Sequence, residues 1–562
     1  MKRQLLISNL NKYTFYMFFF LTISISTLSV FTSKCLADIN PQNGNFFISF
    51  VDINVPSSNN LNINRVYNSN VYKIGWFGLG WGNYFETKLA VGADGSIVVY
   101  ENGTGAESRF IPTNGSLAVD QAAKNILEGI KKKTNIAKHI EPQLLEKFKN
   151  DSRLRQFYAE ELKISADIPN GATFKSNDLG GLIQTIKKTE KGFERVTFDG
   201  KNEFFALTGE LQKIKHPNGY TLDLTYDLGI LKKIKDSEGK ELFFDWFSDK
   251  RVKYIWSPND PKKVTYNYED GKLVESIDVT GLTHKYTYDG NFLLSSVTYP
   301  DKTKIEISYQ LPLKLVKEFK DRDNNLTTYS YGQSKTKPDL HYWTTITYKS
   351  PSSASVVTKK LEYERKRSAD GQDYDYRISS EENGLKSETI YDEKRRPIEQ
   401  SLGKLITKYS YYENGQIKEK RSNNGLFYKY EYHPANNKIT KVENFYGTTK
   451  YEYNKNGLLT SATTYRGINF TLQYDHKGLM STLIQEDTIT KDKKVLNFKY
   501  NIMNRPTEME IEKIGKIMLE YNNFGIVKTV DPKSNKNAVY ELNKTFALFS
   551  DTISVLGLRF EI

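Results

Sequence analysis

The sequence predicts a mainly β protein: a repeat array of β-hairpins with a period of about 21 residues, curling into an open β-shell or collar and carrying a small helical insertion. Three observations predict this. A tyrosine followed by a turn recurs at a nearly fixed interval, the residues ahead of each turn alternate aromatic and charged, and residues 116–164 alone switch to helical spacing.

The repeat is plainest in four successive stretches. They are Tyr412-Glu413-Asn414-Gly415-Gln416-Ile417, Tyr432-His433-Pro434-Ala435-Asn436-Asn437-Lys438-Ile439, Tyr453-Asn454-Lys455-Asn456-Gly457-Leu458-Leu459 and Tyr474-Asp475-His476-Lys477-Gly478-Leu479-Met480, with leading tyrosines 20, 21 and 21 residues apart. Before the turns, Tyr428-Lys429-Tyr430-Glu431-Tyr432 and Tyr451-Glu452-Tyr453 alternate with period 2, which puts tyrosines on one face of a strand and charges on the other. Asp, Asn and Gly tolerate the positive φ angles of a tight turn. An apolar residue then opens the return strand. One turn of about five residues and two strands of about six to eight use up the period, so each unit reads as a hairpin.

Backwards, Phe205, Tyr226, Phe247, Tyr268, Tyr288 and Tyr309 continue the series at spacings of 21, 21, 21, 20 and 21. Forwards it runs through Tyr500 and Tyr521, with a gap of 26 residues after Tyr474. Tyr391-Asp392 belongs to it as well. Residues 331–376 fall out of register and are expected to carry longer loops. Residues 205–540 hold about 16 units, roughly 30 strands, or a ribbon about 145 Å long; closed in a single turn it makes a ring about 45 Å across, a collar and not a sealed container.

The Tyr-Asp-x-x-Gly-x-Leu unit resembles the YD repeat of the Rhs family, over roughly residues 44–540. Residues 44–110 resemble the leader domain that precedes Rhs repeats, on Ser49-Phe50-Val51-Asp52-Ile53-Asn54-Val55-Pro56, Asn64-Arg65-Val66-Tyr67-Asn68-Ser69 and Gly75-Trp76-Phe77-Gly78-Leu79-Gly80-Trp81. In the last of these, glycines let the backbone turn beside two tryptophans. Its structural reading is a hydrophobic end plug for the sheet, and its functional reading an aromatic sugar-stacking platform. In toxin-bearing members the resemblance implies a terminal Asp-Pro-x-Gly-Leu type segment linked to self-cleavage, then a variable toxic domain. The nearest strings here, Asp531-Pro532-Lys533-Ser534 and Leu556-Gly557-Leu558, do not fit it, so neither activity is carried over.

The chain divides accordingly. Residues 1–37 read as a signal peptide: Lys2, Arg3 and Lys12 form a basic start, residues 13–32 are apolar without charge, and Cys35-Leu36-Ala37 offers a cleavage site before Asp38. The apolar run is also long enough to span a bilayer, so an uncleaved anchor is the alternative. Lipidation of Cys35, the only cysteine, is disfavoured by Lys34 before it; cleavage after Ala37 leaves a chain without disulfides or thiol chemistry. Residues 38–115 form the leader or plug domain, in which Asp94-Gly95 closes a hairpin. Residues 116–170 form a helical insertion, with Ala122, Ile126 and Ile130 and then Leu154, Phe157 and Tyr158 at helical spacing, read as a cap over the sheet end or a docking site for a partner. Residues 171–545 are the repeat shell and 546–562 one last strand.

Composition agrees with this. Aromatic content of 13%, including 38 tyrosines, suits amphipathic strands and excludes disorder. The net charge of +13 falls to +9 without the four basic residues of the signal segment, and its basic runs (Lys131-Lys132-Lys133, Arg365-Lys366-Arg367, Lys394-Arg395-Arg396) lie among nearly as many acids. They read as solvated faces; with export, nucleic acid is excluded as a partner.

No catalytic, cofactor or metal site emerges. His139, His216, His284, His341, His433 and His476 show no ligand spacing, and no nucleophile elbow or phosphate loop is present. The carboxylates Asp227, Glu269, Asp289, Asp392, Glu413 and Asp475 recur with the turns, where accepting local backbone hydrogen bonds suffices to explain them. The expectation is therefore an exported, non-enzymatic scaffold at the cell surface, in the periplasm or outside the cell, requiring no cofactor and touching a membrane only through an uncleaved N-terminal segment. The alternatives are a carbohydrate or surface-receptor binding module, and the shell component of a toxin system whose effector is a separate partner or has been lost.

Overall fold

A computed structural model of the chain describes residues 37–557, except 56, 58, 134–139, 177–182, 259, 354, 368–372, 435–436, 477, 502–505, 522–526 and 531–535. The expected signal peptide thus falls outside the described residues, save Ala37, as do His139 and residues 531–534.

Alternation with period 2 builds two β assemblies. The first is a four-stranded antiparallel sheet of Ala37–Asn40, Asn45–Val55, Leu61–Asn68 and Trp81–Asn83. It buries Phe46, Ile48 and Phe50 from one long strand and Leu61, Ile63, Arg65 and Tyr67 from the next. The second is a ribbon in which each strand pairs antiparallel with its sequence neighbour, from Lys88–Val91 to Val527–Val530. Its two end strands share no register among the described residues. The ribbon is open.

Residues 88–112, grouped with the leader by sequence, belong to this ribbon: Ala106–Pro112 pairs with Thr173–Ser176, and the helical insertion is a detour between those two strands. The first edge is not left bare. Leu89 N donates to Gly209 O at 2.8 Å, and Lys88 bridges Glu210. Gly209 has φ +94°, and a Cβ there would lie 1.9 Å from Leu89 O, so only glycine lets the turn seal the edge.

The insertion forms three helices, Val119–Lys133, Glu141–Asn150 and Ser152–Glu161. They bury Ile126, Leu127, Phe148 and Ala159 in a small core of their own. Asp94 ties them to the ribbon: its Oδ2 accepts from Arg155 Nε at 2.9 Å and Arg109 Nη2 at 2.5 Å.

Two expectations are corrected. The out-of-register segment owes much of its break to longer strands, not loops alone: His341–Lys349, Val356–Arg367 and Asp373–Glu382 span 9, 12 and 10 residues. The tail expected as a strand over 546–562 is helical up to Ser554, and residues 558–562 lie outside the described residues. Lys536–Ser554 is a helix, because Val539, Leu542, Phe546, Phe549 and Ile553 recur every three or four residues and the apparent alternation further on concealed this.

The helix explains where the cores sit. The leader sheet packs into the first part of the ribbon as a single apolar cluster reaching Val316. The helix Lys536–Ser554 fills the last part through Leu542, Phe549 and Ile553, with Phe549 and Phe470 rings 5.2 Å apart. Between these plugs the ribbon is not filled. Leu385–Tyr391, Pro397–Leu402 and Leu405–Tyr411 contain no fully buried residue.

Candidate functional site

The recurring aromatics are the first group to test for chemistry, and the fold commits them to architecture. The register shifts at Phe205, Tyr226, Trp246, Tyr268, Tyr288, Tyr309, Tyr391, Tyr411, Tyr432, Tyr453, Tyr474 and Tyr500, where the strand that follows carries one extra, unpaired residue opposite the aromatic. Such a bulge re-aims the side chain and interrupts the ladder. The freed side chain then reaches one hairpin back. Tyr226 Oη donates to Leu211 O at 2.9 Å, Tyr288 to Leu273 O at 2.9 Å, Tyr309 to Leu294 O at 2.9 Å, Tyr453 to Ile439 O at 2.9 Å and Tyr474 to Leu459 O at 2.7 Å.

This geometry also moves two of the repeat positions. Trp246, not Phe247, occupies the strut, its Nε1 donating to Leu231 O at 2.7 Å, and Tyr411, not Tyr412, donates to Pro397 O at 2.5 Å. In both places two adjacent aromatics made the sequence ambiguous. Only the bulge decides which one turns inward.

Asp289, Asp392 and Asp475 among the turn acids act locally. Asp289 Oδ1 accepts from Asn291 N and Leu293 N at 2.8 and 2.9 Å, and Asp392 Oδ1 from Lys394 N and Arg396 N at 3.0 and 2.9 Å. The histidines are dispersed. His284 lies against Phe50 and Tyr299, and His341 Nε2 meets Glu362 at 2.7 Å. Burial holds the His216 imidazole down at about 4, so it is neutral. Among the described residues no cluster of His, Cys, Asp or Glu could hold a metal ion.

The densest polar network joins leader to ribbon. Arg65, fully buried, forks onto Asp52 (Nε–Oδ2 2.9 Å, Nη2–Oδ1 3.0 Å) and donates to Tyr286 Oη at 2.9 Å. Its guanidinium lies 4.3 Å from the Trp81 ring centroid, and Tyr266 Oη donates to Asp52 at 2.8 Å. Burial opposes the charge on Arg65, but Asp52 and Tyr286 outweigh it and hold the group well above its ordinary range. Trp81 Nε1 donates to Tyr288 Oη at 2.9 Å and Trp76 packs 5.4 Å from Trp246. Trp81 is fully enclosed, which removes it from any sugar-stacking platform.

A carboxylate that the sequence did not single out lies nearby. Glu86 Oε2 accepts from Trp76 N at 2.9 Å, while Oε1 is enclosed without a hydrogen-bond partner. Desolvation pushes this carboxyl up to about 8, against the lowering effect of the Trp76 amide. It clamps the loop at Gly75, where a Cβ would lie 2.8 Å from Oε2.

The unfilled middle supplies the concave feature. A cavity of about 330 Å³ opens between strands of residues 387–430 and the end of the helix Lys536–Ser554, with Thr389, Tyr409, Lys420, Tyr430 and Val555 in its walls. Sequence reasoning missed it, because Lys420 in Ile417-Lys418-Glu419-Lys420-Arg421-Ser422 reads as one more solvated charge.

With this geometry in place, comparison with known proteins adds the following. Residues 37–110 match a domain of unknown function, DUF6531. No curated protein matches the chain. Among solved structures, a crystal structure of TcdB2-TccC3 aligns with TM-score 0.40 and 11% identity over 91% of this chain and 31% of that one. A TcdB2-TccC3-TEV structure gives 0.39 and 11% over 92% and 31%. The Photorhabdus luminescens Tc holotoxin pore gives 0.35 and 13% over 87% and 28%. The chain therefore spans under a third of the length of these solved chains.

Proposed function

We propose that the protein is an exported, non-enzymatic scaffold, an Rhs-like β-shell displayed at the cell surface, in the periplasm or outside the cell. One observation carries the reading: the chemical groups that recur with the period are spent on the sheet itself. Most of the repeated tyrosine and tryptophan donors tie a hairpin to the previous one, and the turn carboxylates of Asp289, Asp392 and Asp475 bond their own backbone amides. The polar networks of the leader fasten a plug, and that plug is the kind of part a shell needs. The signal-like start of the sequence supports export.

Intact-mass measurement with light scattering on protein from the exported fraction of its native cells tests this reading. A chain beginning at Asp38 supports it. Recovery only from the cytoplasm, or turnover of a substrate by the purified chain, overturns it.

A specific observation favours a second reading, contact with a glycan or surface receptor. Phe445 and Tyr446 at one hairpin tip are 68% and 65% exposed, and Tyr446 stacks on Tyr465 of the next tip at 5.8 Å. An exposed aromatic face of this kind is suited to a sugar ring. A glycan array compared between the parent chain and a Phe445→Ala/Tyr446→Ala variant separates the two readings, since only the second requires saturable binding that the variant loses.

A further inference from the structure

The cavity in the unfilled middle of the ribbon has an internal asymmetry that its structural role does not explain. Several of its neutral polar groups have side-chain partners. Thr407 Oγ1 and Ser422 Oγ share a hydrogen bond at 2.8 Å, Ser387 Oγ bonds Ser380 Oγ at 2.7 Å, and Tyr409 Oη donates to Gln400 Oε1. The one acid in the walls, Glu388, faces Arg377 at 3.4 Å. Much of the remaining lining is apolar: Leu402, Leu405, Leu426, Val555 and the rings of Tyr428 and Tyr430.

Lys420 is the one cation in these walls. Its ammonium is placed 5.8 Å from the Tyr409 ring centroid and 5.7 Å from that of Tyr430, with no hydrogen bond or ion pair among the described residues. Burial lowers its pKa, the cost of a cation with no counter-charge. Two ring faces offset that cost only in part. A volume of about 330 Å³ is at the lower end of what small-molecule sites enclose, and a mostly apolar wall with one charged group is their usual composition.

We propose that this cavity binds a hydrophobic monoanion, an apolar chain or ring bearing one carboxylate that pairs with Lys420. The apolar walls take the hydrocarbon part, and the two tyrosine rings hold the ammonium where the carboxylate arrives. The site lies in the ribbon between the two plugs and is independent of export or display, so it adds a ligand to the scaffold reading and does not depend on it.

Titration calorimetry on the full chain, with decanoate and the uncharged 1-decanol as probes, tests the assignment. Decanoate is expected to bind saturably with one site and at least tenfold more tightly than decanol. Lys420→Met should remove that preference, Leu405→Trp should block both probes by filling the cavity, and Lys418→Met, an exposed neighbour on the same strand, should change neither. The comparison of the two probes on the unmodified chain needs no variant to fold. Absence of saturable decanoate binding, equal affinity for the two probes, or a Lys420→Met variant that keeps the preference would each overturn the proposal.

Discussion

The Asp52–Arg65 pair offers the sharpest test of how the leader is held. Replacing Asp52 with Leu leaves a guanidinium with no exposed surface, whose remaining partners are Tyr286 Oη at 2.9 Å, Ser276 Oγ at 3.3 Å and aromatic faces. Stranding one charge of a buried pair costs about 3–5 kcal/mol. Arg65→Met strands Asp52 in the same way, with the Tyr266 hydroxyl as its remaining donor. The double variant differs in kind. It buries no charge; Ser276 and Tyr286 still bond each other at 2.9 Å, and only the Tyr266 hydroxyl loses its partner, which costs about 1–3 kcal/mol. The singles should therefore sum to about 6–10 kcal/mol against about 1–3 for the double.

Repeat arrays do not unfold as a single unit, so a local probe is needed. Hydrogen-exchange mass spectrometry on the Leu61–Asn68 strand reads the opening directly, each 1.4 kcal/mol being about tenfold in rate. Each single variant should accelerate exchange there by about 100-fold or more, and the double should recover most of the loss. A single variant below tenfold, or a double no better than the singles, would refute the view that a desolvated ion pair latches the plug.

Three further outcomes follow from the same contacts. Tyr288→Phe removes both a donor to Leu273 O and an acceptor for Trp81 Nε1 and should cost about 2–4 kcal/mol locally, whereas Tyr446→Phe at an exposed tip should cost nothing measurable; exchange of peptides around 273 and 81 compares them. Glu86 is raised from 4.5 to about 8 in the fold, so the folded chain holds a proton the unfolded chain has lost, and stability falls as pH rises through that window. The melting temperature of Glu86→Gln relative to the parent should accordingly climb from pH 5 to pH 8 and level off above; a flat difference would mean the carboxyl is ionised throughout. Phe549→Ala empties a packed position against Phe470 and should cost about 3–5 kcal/mol, releasing the helix Lys536–Ser554 to proteolysis while exchange in Leu61–Asn68 stays unchanged.

Much of the fold was legible from local rules. Period-2 alternation, Asx-Gly turns and a fixed interval are properties of a few adjacent residues, so the hairpins and the helical character of the insertion could be read directly. Misreadings arose where two local signals competed. Phe247 beside Trp246 and Tyr412 beside Tyr411 offered two candidates each, and the inserted bulge residue settled which one faces inward. In the tail, weak alternation over residues 546–562 masked the three- and four-residue spacing of Val539, Leu542, Phe546, Phe549 and Ile553. The candidate site was less legible still. Lys420 is one of two lysines in a solvent-like string, and nothing near it in sequence shows that it points at Tyr409 and Tyr430.

By itself the sequence determined the repeating unit and its antiparallel pairing with the next, because these depend on neighbours within about one period. Tertiary structure decided how the ribbon's interior is filled. The leader occupies one end through Arg65, Trp81 and Tyr67, which meet strands some two hundred residues away, and a helix from the far end of the chain occupies the other. Which strands lie under neither plug depends on how those two bodies dock, and docking couples residues whose separation carries no periodic signal. The open middle of the ribbon, and a cation inside it with no ion pair among the described residues, are consequences of that docking.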